Sequence, residues 1–195
     1  MDSMQSAIRV REVSRVIAVD PRIERVLAGD RQAADSIVRE LLPRVRNLVR
    51  YLVRGDSEVD DMAQLGLMAV LRGLSTFRGE GSLKSWADRI VVRETLAYVK
   101  RRRRAEAEQR DHSAELRIVD EPSRPDAYLE RRRMAEALDE LPEDQRAVVV
   151  MHQIVGYSMP EVAEELGIPF ETARSRHRLG MAKLREAMDD GGAIR

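Results

Sequence analysis

In every well-patterned segment of this chain, apolar residues recur at three- to four-residue spacing. That period puts them on one face of an α-helix and cannot keep them on one face of a strand. Over residues 31–53 the stripe is Ala34, Ile37/Val38, Leu41, Val45, Leu48/Val49 and Leu52, ended by Gly55 and Asp56, with Pro43 as a site for a kink. A shorter helix is predicted over 21–28, set apart by Gly29 and Asp30. Over 58–76 the stripe is Val59, Met62/Ala63, Gly66/Leu67, Val70 and Leu74. A long helix then opens at Ser82, an N-cap residue, with Leu83, Trp86/Ala87, Ile90, Glu94/Thr95 and Ala97/Tyr98 on one face. Composition agrees: aromatics are 4% of the 195 residues, while a 43% hydrophobic content suffices for a core. The expected fold class is all-α.

The remaining helices are delimited by their caps. One is predicted over 128–140 and another over 142–155, with Pro142 as first helical residue, Glu143 and Asp144 in the first turn and Gly156 as C-cap. Ser158, Met159, Pro160 and Glu161 have capping-box spacing and open a helix to Leu166. Gly167, Ile168 and Pro169 turn the chain into a last helix over 170–188.

Formal net charge is zero, from 34 Lys and Arg against 34 Asp and Glu, yet the charges are segregated. Residues 84–104 hold eight basic and two acidic side chains, residues 105–130 eight acidic and three basic, and residues 170–185 five basic and one acidic. The acidic stretch also contains Pro122 and Pro125 and lacks sustained helical periodicity, so it reads as a flexible linker. The expected organisation is an N-terminal extension (1–20), a helical domain (21–104), the acidic linker (105–129), a second helical domain (130–188) and a tail (189–195).

Several function classes are disfavoured. There is no cysteine, hence no disulfide, thiolate metal site or thiol nucleophile. No run approaches the ~18 apolar residues of a membrane span, and charge near the N-terminus disfavours a signal peptide, so a cytoplasmic protein without membrane insertion is expected. His112, His152 and His177 are far apart and show no metal-ligand spacing; the adjacent acids Asp60/Asp61 and Asp189/Asp190 are ordinary helix-end carboxylates. The loop FRGEGSLKS lacks the ending of a phosphate-binding loop. We therefore expect no metal, no cofactor and no catalysis by the chain itself.

Two surfaces invite partners. On the 58–76 helix, Gln64, Leu65, Met68 and Arg72 lie off the core stripe beside Asp60 and Asp61. Two apolar residues there imply a second covered face, with a neighbouring helix as the simpler occupant and a partner protein as the other. The short helix, glycine turn and basic helix at the C-terminal end have helix-turn-helix form. Thr172, Ser175, Arg176 and Leu179 lie opposite an apolar face of Phe170, Ala173, His177, Gly180/Met181, Leu184 and Met188, and Arg174 and Arg178 flank them. Hydroxyls and guanidiniums in that pattern suit phosphates and guanine edges.

The segment LPEDQRAVVVMHQIVGYSMPEVAEELGIPFETARSRHRLGMAKLRE resembles region 4 of bacterial sigma factors, and DDMAQLGLMAVLRGLSTFRGEGSLKSWADRIVVRETLAYVKRRRR resembles their region 2. Two such regions in this order, with no region 3 between them, resemble the extracytoplasmic-function class. The resemblance implies a protein that binds core RNA polymerase and recognises the −10 and −35 promoter elements. It implies contact with the polymerase β′ coiled coil through Asp61, Gln64, Leu65 and Met68, and with the β flap. It implies −10 single-strand capture by Arg78, Glu80, Gly81, Ser82, Lys84, Arg89 and Arg93. Phe77 and Trp86 are expected in the core. Lys100, Arg101, Arg102, Arg103 and Arg104 would contact DNA backbone, and Thr172, Arg174, Ser175, Arg176 and Arg178 the −35 element.

The chain departs from the family pattern at Leu65, where an acidic residue is common, near Arg93 and Glu94, where asparagine is common, and at His177, usually apolar and read here as a neutral core histidine. An anti-sigma protein could hold the two domains together, though nothing in the sequence identifies one. The alternative, an autonomous helix-turn-helix regulator, accounts for the C-terminal half alone and should bind a duplex operator without polymerase.

Overall fold

The computed structural model describes residues 20–108 and 125–190, and every regular element among them is helical. Two aspartates open the first pair. The Asp20 carboxylate accepts the Arg22 N–H at 3.0 Å to start α1 (Pro21–Leu27), and Asp30 accepts from Gln32 and Ala33 at 2.9 and 3.2 Å to start α2 (Arg31–Leu52). Neither cap was among the sequence expectations. α2 runs on through Pro43, whose missing N–H falls on an exposed face. It packs against α3 (Val59–Gly73), which tightens into a 3₁₀ turn at Leu74–Thr76, and against α4 (Leu83–Glu108). Ser82 opens α4 as expected, accepting the Ser85 N–H at 3.0 Å.

The expected stripes of α2 and α3 form the core between these helices: Ile37, Leu41, Val45, Leu48, Val49 and Leu52 face Met62, Ala63, Leu67 and Val70. α4 differs from its predicted face. Val91, Val92, Val99 and Asp88 are buried, while Glu94 and Ala97 are exposed. The cause is that α4 is covered by α2 and α3 and also by the C-terminal half, so its buried surface is wider than one amphipathic stripe. Asp88 tolerates burial because the Arg44 Nε donates to both its oxygens at 2.9 Å.

The C-terminal half is built from α5 (Pro125–Asp139), α6 (Glu143–Val149) continuing as a π-helical turn (Val150–Val155), α7 (Met159–Leu166) and α8 (Phe170–Asp190). Gly156, at φ 86°, closes the π turn in a left-handed conformation that a side chain would strain. The Ser158/Glu161 capping box forms as expected. Pro142 is the N-cap, with Glu143 the first helical residue. Other helix ends also shift. Ala and Glu, good helix formers, carry α4 past Arg104 to Glu108; α5 starts at Pro125, which its fixed φ favours; α8 reaches Asp190. The expected linker thus loses residues at both ends, and 109–124, like 1–19 and 191–195, lies outside the described residues.

Leu138, Leu141, Val148–Met151, Tyr157, Val162 and Ala173 belong to the same continuous buried cluster as the α2–α4 core. Phe170 and Met188, expected on the buried face of α8, lie near its two ends and are 43% and 42% exposed. Gly180 sets the close seat of α8 on α6: a Cβ there would lie 2.8 Å from Val149 Cγ2 and 3.3 Å from Gln145 Cβ. Gly180→Leu should therefore lower stability by about 1–3 kcal/mol, read as a shift of the urea unfolding midpoint. An unchanged midpoint would contradict this packing.

Candidate nucleic-acid interface

On α3, Asp61, Gln64, Leu65 and Met68 are all exposed, Leu65 at 44% and Met68 at 46%. The neighbouring-helix expectation for this face is corrected. α2 and α4 are already engaged by the opposite stripe, and nothing among the described residues covers the apolar pair. Asp60, at the edge of the face, is held by Arg46 at 2.8 Å.

The second surface combines the loop before α4 with α4 itself. Arg78, Glu80 and Ser82 are exposed around Gly81, whose φ of 105° a side chain would strain. Beneath them the Phe77 and Trp86 rings meet at 5.3 Å between centroids, and Trp86 reaches within 3.4 Å of the position a Gly73 Cβ would take. Trp86 is therefore packed against the core, as expected, and is half-buried. Lys84 pairs with Glu40 at 3.0 Å.

Further along α4, the cations meet carboxylates from the other half of the chain. Arg89 donates to Glu161 at 2.9 Å with its guanidinium 4.4 Å above the Tyr157 ring, Arg93 donates to Glu165 at 2.8 Å, and Arg103 donates to Glu143 at 2.9 Å. Arg102 pairs with Glu58 of the first half, which also accepts from the Tyr98 hydroxyl at 2.7 Å. Lys100, Arg101 and Arg104 are exposed. The acidic partners Glu143, Glu161 and Glu165 were not singled out from sequence for this surface. The i,i+4 spacing of Arg89/Arg93 and of Glu161/Glu165 was the one available signal.

Glu161 is the most perturbed carboxylate of the surface. The Ser158 backbone N–H and hydroxyl, with Arg89 after them, hold its pKa down at about 2. Tyr157 is 2% exposed, and burial raises its hydroxyl above the usual range.

On α8 the exposed residues Arg174, Ser175 and Arg178 line a concave surface with Met159, Phe170 and His177. Thr172 is half-buried. Arg176 is held by Asp144 of α6 at 2.9 Å, a partner the sequence did not reveal. His177 is half-buried, hydrogen-bonded to the Gln153 amide at 2.9 Å and perpendicular to the His152 ring at 4.8 Å. Burial first, then His152, keeps its pKa below the ordinary imidazole value. Among the described residues, no group of three or more metal-ligating side chains is found, and no helix is long and apolar enough to cross a membrane.

Comparison with known proteins places two family models on this architecture: Sigma-70 region 2 matches residues 37–105 and Sigma-70 region 4 matches residues 131–184. The chain is 30% identical over 179 residues to the ECF RNA polymerase sigma-E factor of Escherichia coli, covering 86% of this chain and 91% of that protein. It is 32% identical over 159 residues to the ECF RNA polymerase sigma factor SigM of Mycobacterium tuberculosis, covering 81% and 78%. Among solved structures, it is similar to the sigma factor RpoE from Bartonella quintana, crystallised with the anti-sigma factor NepR. That likeness has a TM-score of 0.55 at 21% identity over 83% of this chain and 98% of that one.

The capping box gives a direct acid-base test. A depressed carboxyl pKa means that the stabilisation by Glu161 is complete above its ordinary value of 4.5 and is lost as pH falls from there through about 2. An NMR titration of the Glu161 side-chain carboxyl should find its midpoint near 2. A midpoint at the ordinary value would contradict the network.

Proposed function

The chain belongs to the extracytoplasmic-function class of RNA polymerase sigma factors, and from that membership we propose how its surfaces divide the work of promoter-directed transcription initiation. The exposed face of α3 docks on the β′ coiled coil of core RNA polymerase. The observation that carries this reading is the exposed apolar pair Leu65 and Met68, flanked by Asp61 and Gln64, on a helix whose other face is fully used by the core. An apolar centre with a polar rim is the ordinary anatomy of a protein interface. The C-terminal half supplies the second contact, to the β flap.

The loop with Arg78, Glu80, Gly81 and Ser82, continued by Lys84, Arg89 and Arg93, captures the −10 strand. Lys100 and Arg101–Arg104 neutralise backbone phosphates. They contribute affinity that falls with salt and carries no sequence information. The N-terminal half of α8 enters the major groove at −35. There Ser175 and Arg178 are exposed, Arg174 is exposed with Glu171 at 3.5 Å, and Asp144 fixes Arg176 beside them. Nucleotidyl transfer belongs to the polymerase, and the protein works in the cytoplasm. An anti-sigma protein, such as the one bound to the Bartonella relative, is a further partner class. A helix-turn-helix regulator acting alone would leave the region 2 match over residues 37–105 without a role.

Two variants test this division. Leu65→Asp combined with Met68→Asp places charge on an already exposed face, so the fold should persist by circular dichroism while core-polymerase binding falls at least tenfold, about 1.4 kcal/mol. Unchanged binding would remove α3 from the interface. Arg176→Ala should reduce discrimination between promoter variants at −35 by about 1–3 kcal/mol if it reads a base. Uniform weakening on all promoters would instead make it a phosphate contact.

A further inference from the structure

Four arginines line one cavity of about 310 Å³ where the two halves of the chain meet. Arg54 comes from just beyond α2, Arg102 and Arg103 from α4, and Arg146 from α6. Among the described residues, Glu143 is the one carboxylate in the wall, and Arg103 already engages it at 2.9 Å. Arg102 pairs with Glu58, and Arg54 donates to the neutral Asp139 carbonyl at 2.7 Å. Arg146 is the buried member, its side chain 2% exposed. Its Nη2 donates to the Leu141 carbonyl at 3.2 Å, but Nε and Nη1 are shielded from water and meet no acceptor among the described residues. The Asp139 carboxylate stands 3.6 Å from Nη1, outside hydrogen-bond range. Burial foremost, with Arg54 and Arg50 behind it, lowers the Arg146 pKa against the pull of Asp139 and Glu143.

A buried guanidinium with two unmatched donors is costly unless an anion completes it. We propose that this cavity is a binding site for a compact phosphate group, free or at the end of a small molecule. Four guanidiniums against one carboxylate call for more than a single negative charge. A phosphate group supplies that charge, and its oxygens match the forked donors of arginine. Val53 and Val99 make part of the wall apolar, and a low local dielectric strengthens such contacts. The volume lies at the small end of ligand pockets, which suits a compact anion. A nucleic-acid backbone is the poorer fit, because Arg146 lies beneath the surface that a strand would follow. Arg102 and Arg103 are shared with the backbone assignment above, whereas Arg54 and Arg146 belong to this site alone. The site gives the chain a small-molecule input distinct from the exposed faces of α3 and α8.

The probe is pyrophosphate, titrated into the full chain by calorimetry in magnesium-free buffer, with sodium chloride holding ionic strength constant. Binding should be saturable and should raise the melting temperature, because a ligand held only by the folded chain stabilises it. Arg54→Gln, at an exposed position, should leave the circular dichroism unchanged. It should weaken pyrophosphate binding about tenfold, the scale of one lost charge-assisted hydrogen bond. Arg39→Gln makes the same charge change at an exposed position of α2 outside the cavity wall, and should weaken binding much less. Arg146→Met, which keeps a long side chain without the charge, should abolish binding while helicity persists. Equal affinities in R54Q and R39Q, or no saturable binding to the parent, overturn the site. Arg54-dependent binding of a short single-stranded oligonucleotide, with none of pyrophosphate, also overturns it and assigns these arginines to a nucleic-acid backbone.

Discussion

Asp139, the last residue of α5, holds the two halves of the chain in register. Its carboxylate receives Arg50 of α2 in a two-pronged contact at 3.0 and 2.6 Å, while Arg54 donates to its backbone carbonyl at 2.7 Å. From its own half, Arg146 approaches at 3.6 Å. Arg50 and Arg146 are largely shielded from water, with side chains 16% and 2% exposed. Burial works against the charge on both. Asp139 and Asp56 more than offset it at Arg50, whose pKa rises, whereas at Arg146 burial prevails and the pKa falls. Without Asp139 two buried guanidiniums would be left under-compensated, the situation in which breaking a pair costs most. The placement of α5 on α2 follows from this contact, and α6–α8 are carried with it.

The zero net charge of the sequence acquires a structural meaning from the same pattern. Arg89, Arg93 and Arg103 of α4 and the acids of α6 and α7 are distant in sequence, and these three pairs cancel charge across the domain junction. On α8 the compensation is local to its own half, with Arg176 beside Asp144 at 2.9 Å and Arg174 beside Glu171 at 3.5 Å, and this distinguishes two basic helices that composition alone makes equivalent.

Much of this fold was legible because periodicity and capping act locally. The stripes of α2 and α3, the Ser82 cap, the Ser158/Glu161 box and the Gly156 turn all follow from residues within a few positions of one another. What escaped depends on contacts between distant segments. Asp88 reads as a surface residue until Arg44, 44 positions away, is placed beside it. Leu65 and Met68 advertised a second covered face, and only the packed helices show that no helix of the described chain covers it. The basic candidates on α4 were readable as a class, but their carboxylate partners 72 positions away at Glu161 and Glu165 were not. The same holds for Asp144, which fixes Arg176 from a different helix. The −10 and −35 assignments came from family resemblance, and the geometry adds which of those side chains are free in the isolated chain.

The central claim is that this chain confers promoter choice on core polymerase through two DNA surfaces. The most direct measurement is reconstituted transcription from a library of randomised promoter fragments, using purified core RNA polymerase with and without the chain. The account predicts transcripts that depend on the chain and share two upstream sequence motifs at fixed spacing. Transcripts indifferent to the chain, together with tight binding of the chain alone to a duplex operator, would contradict it.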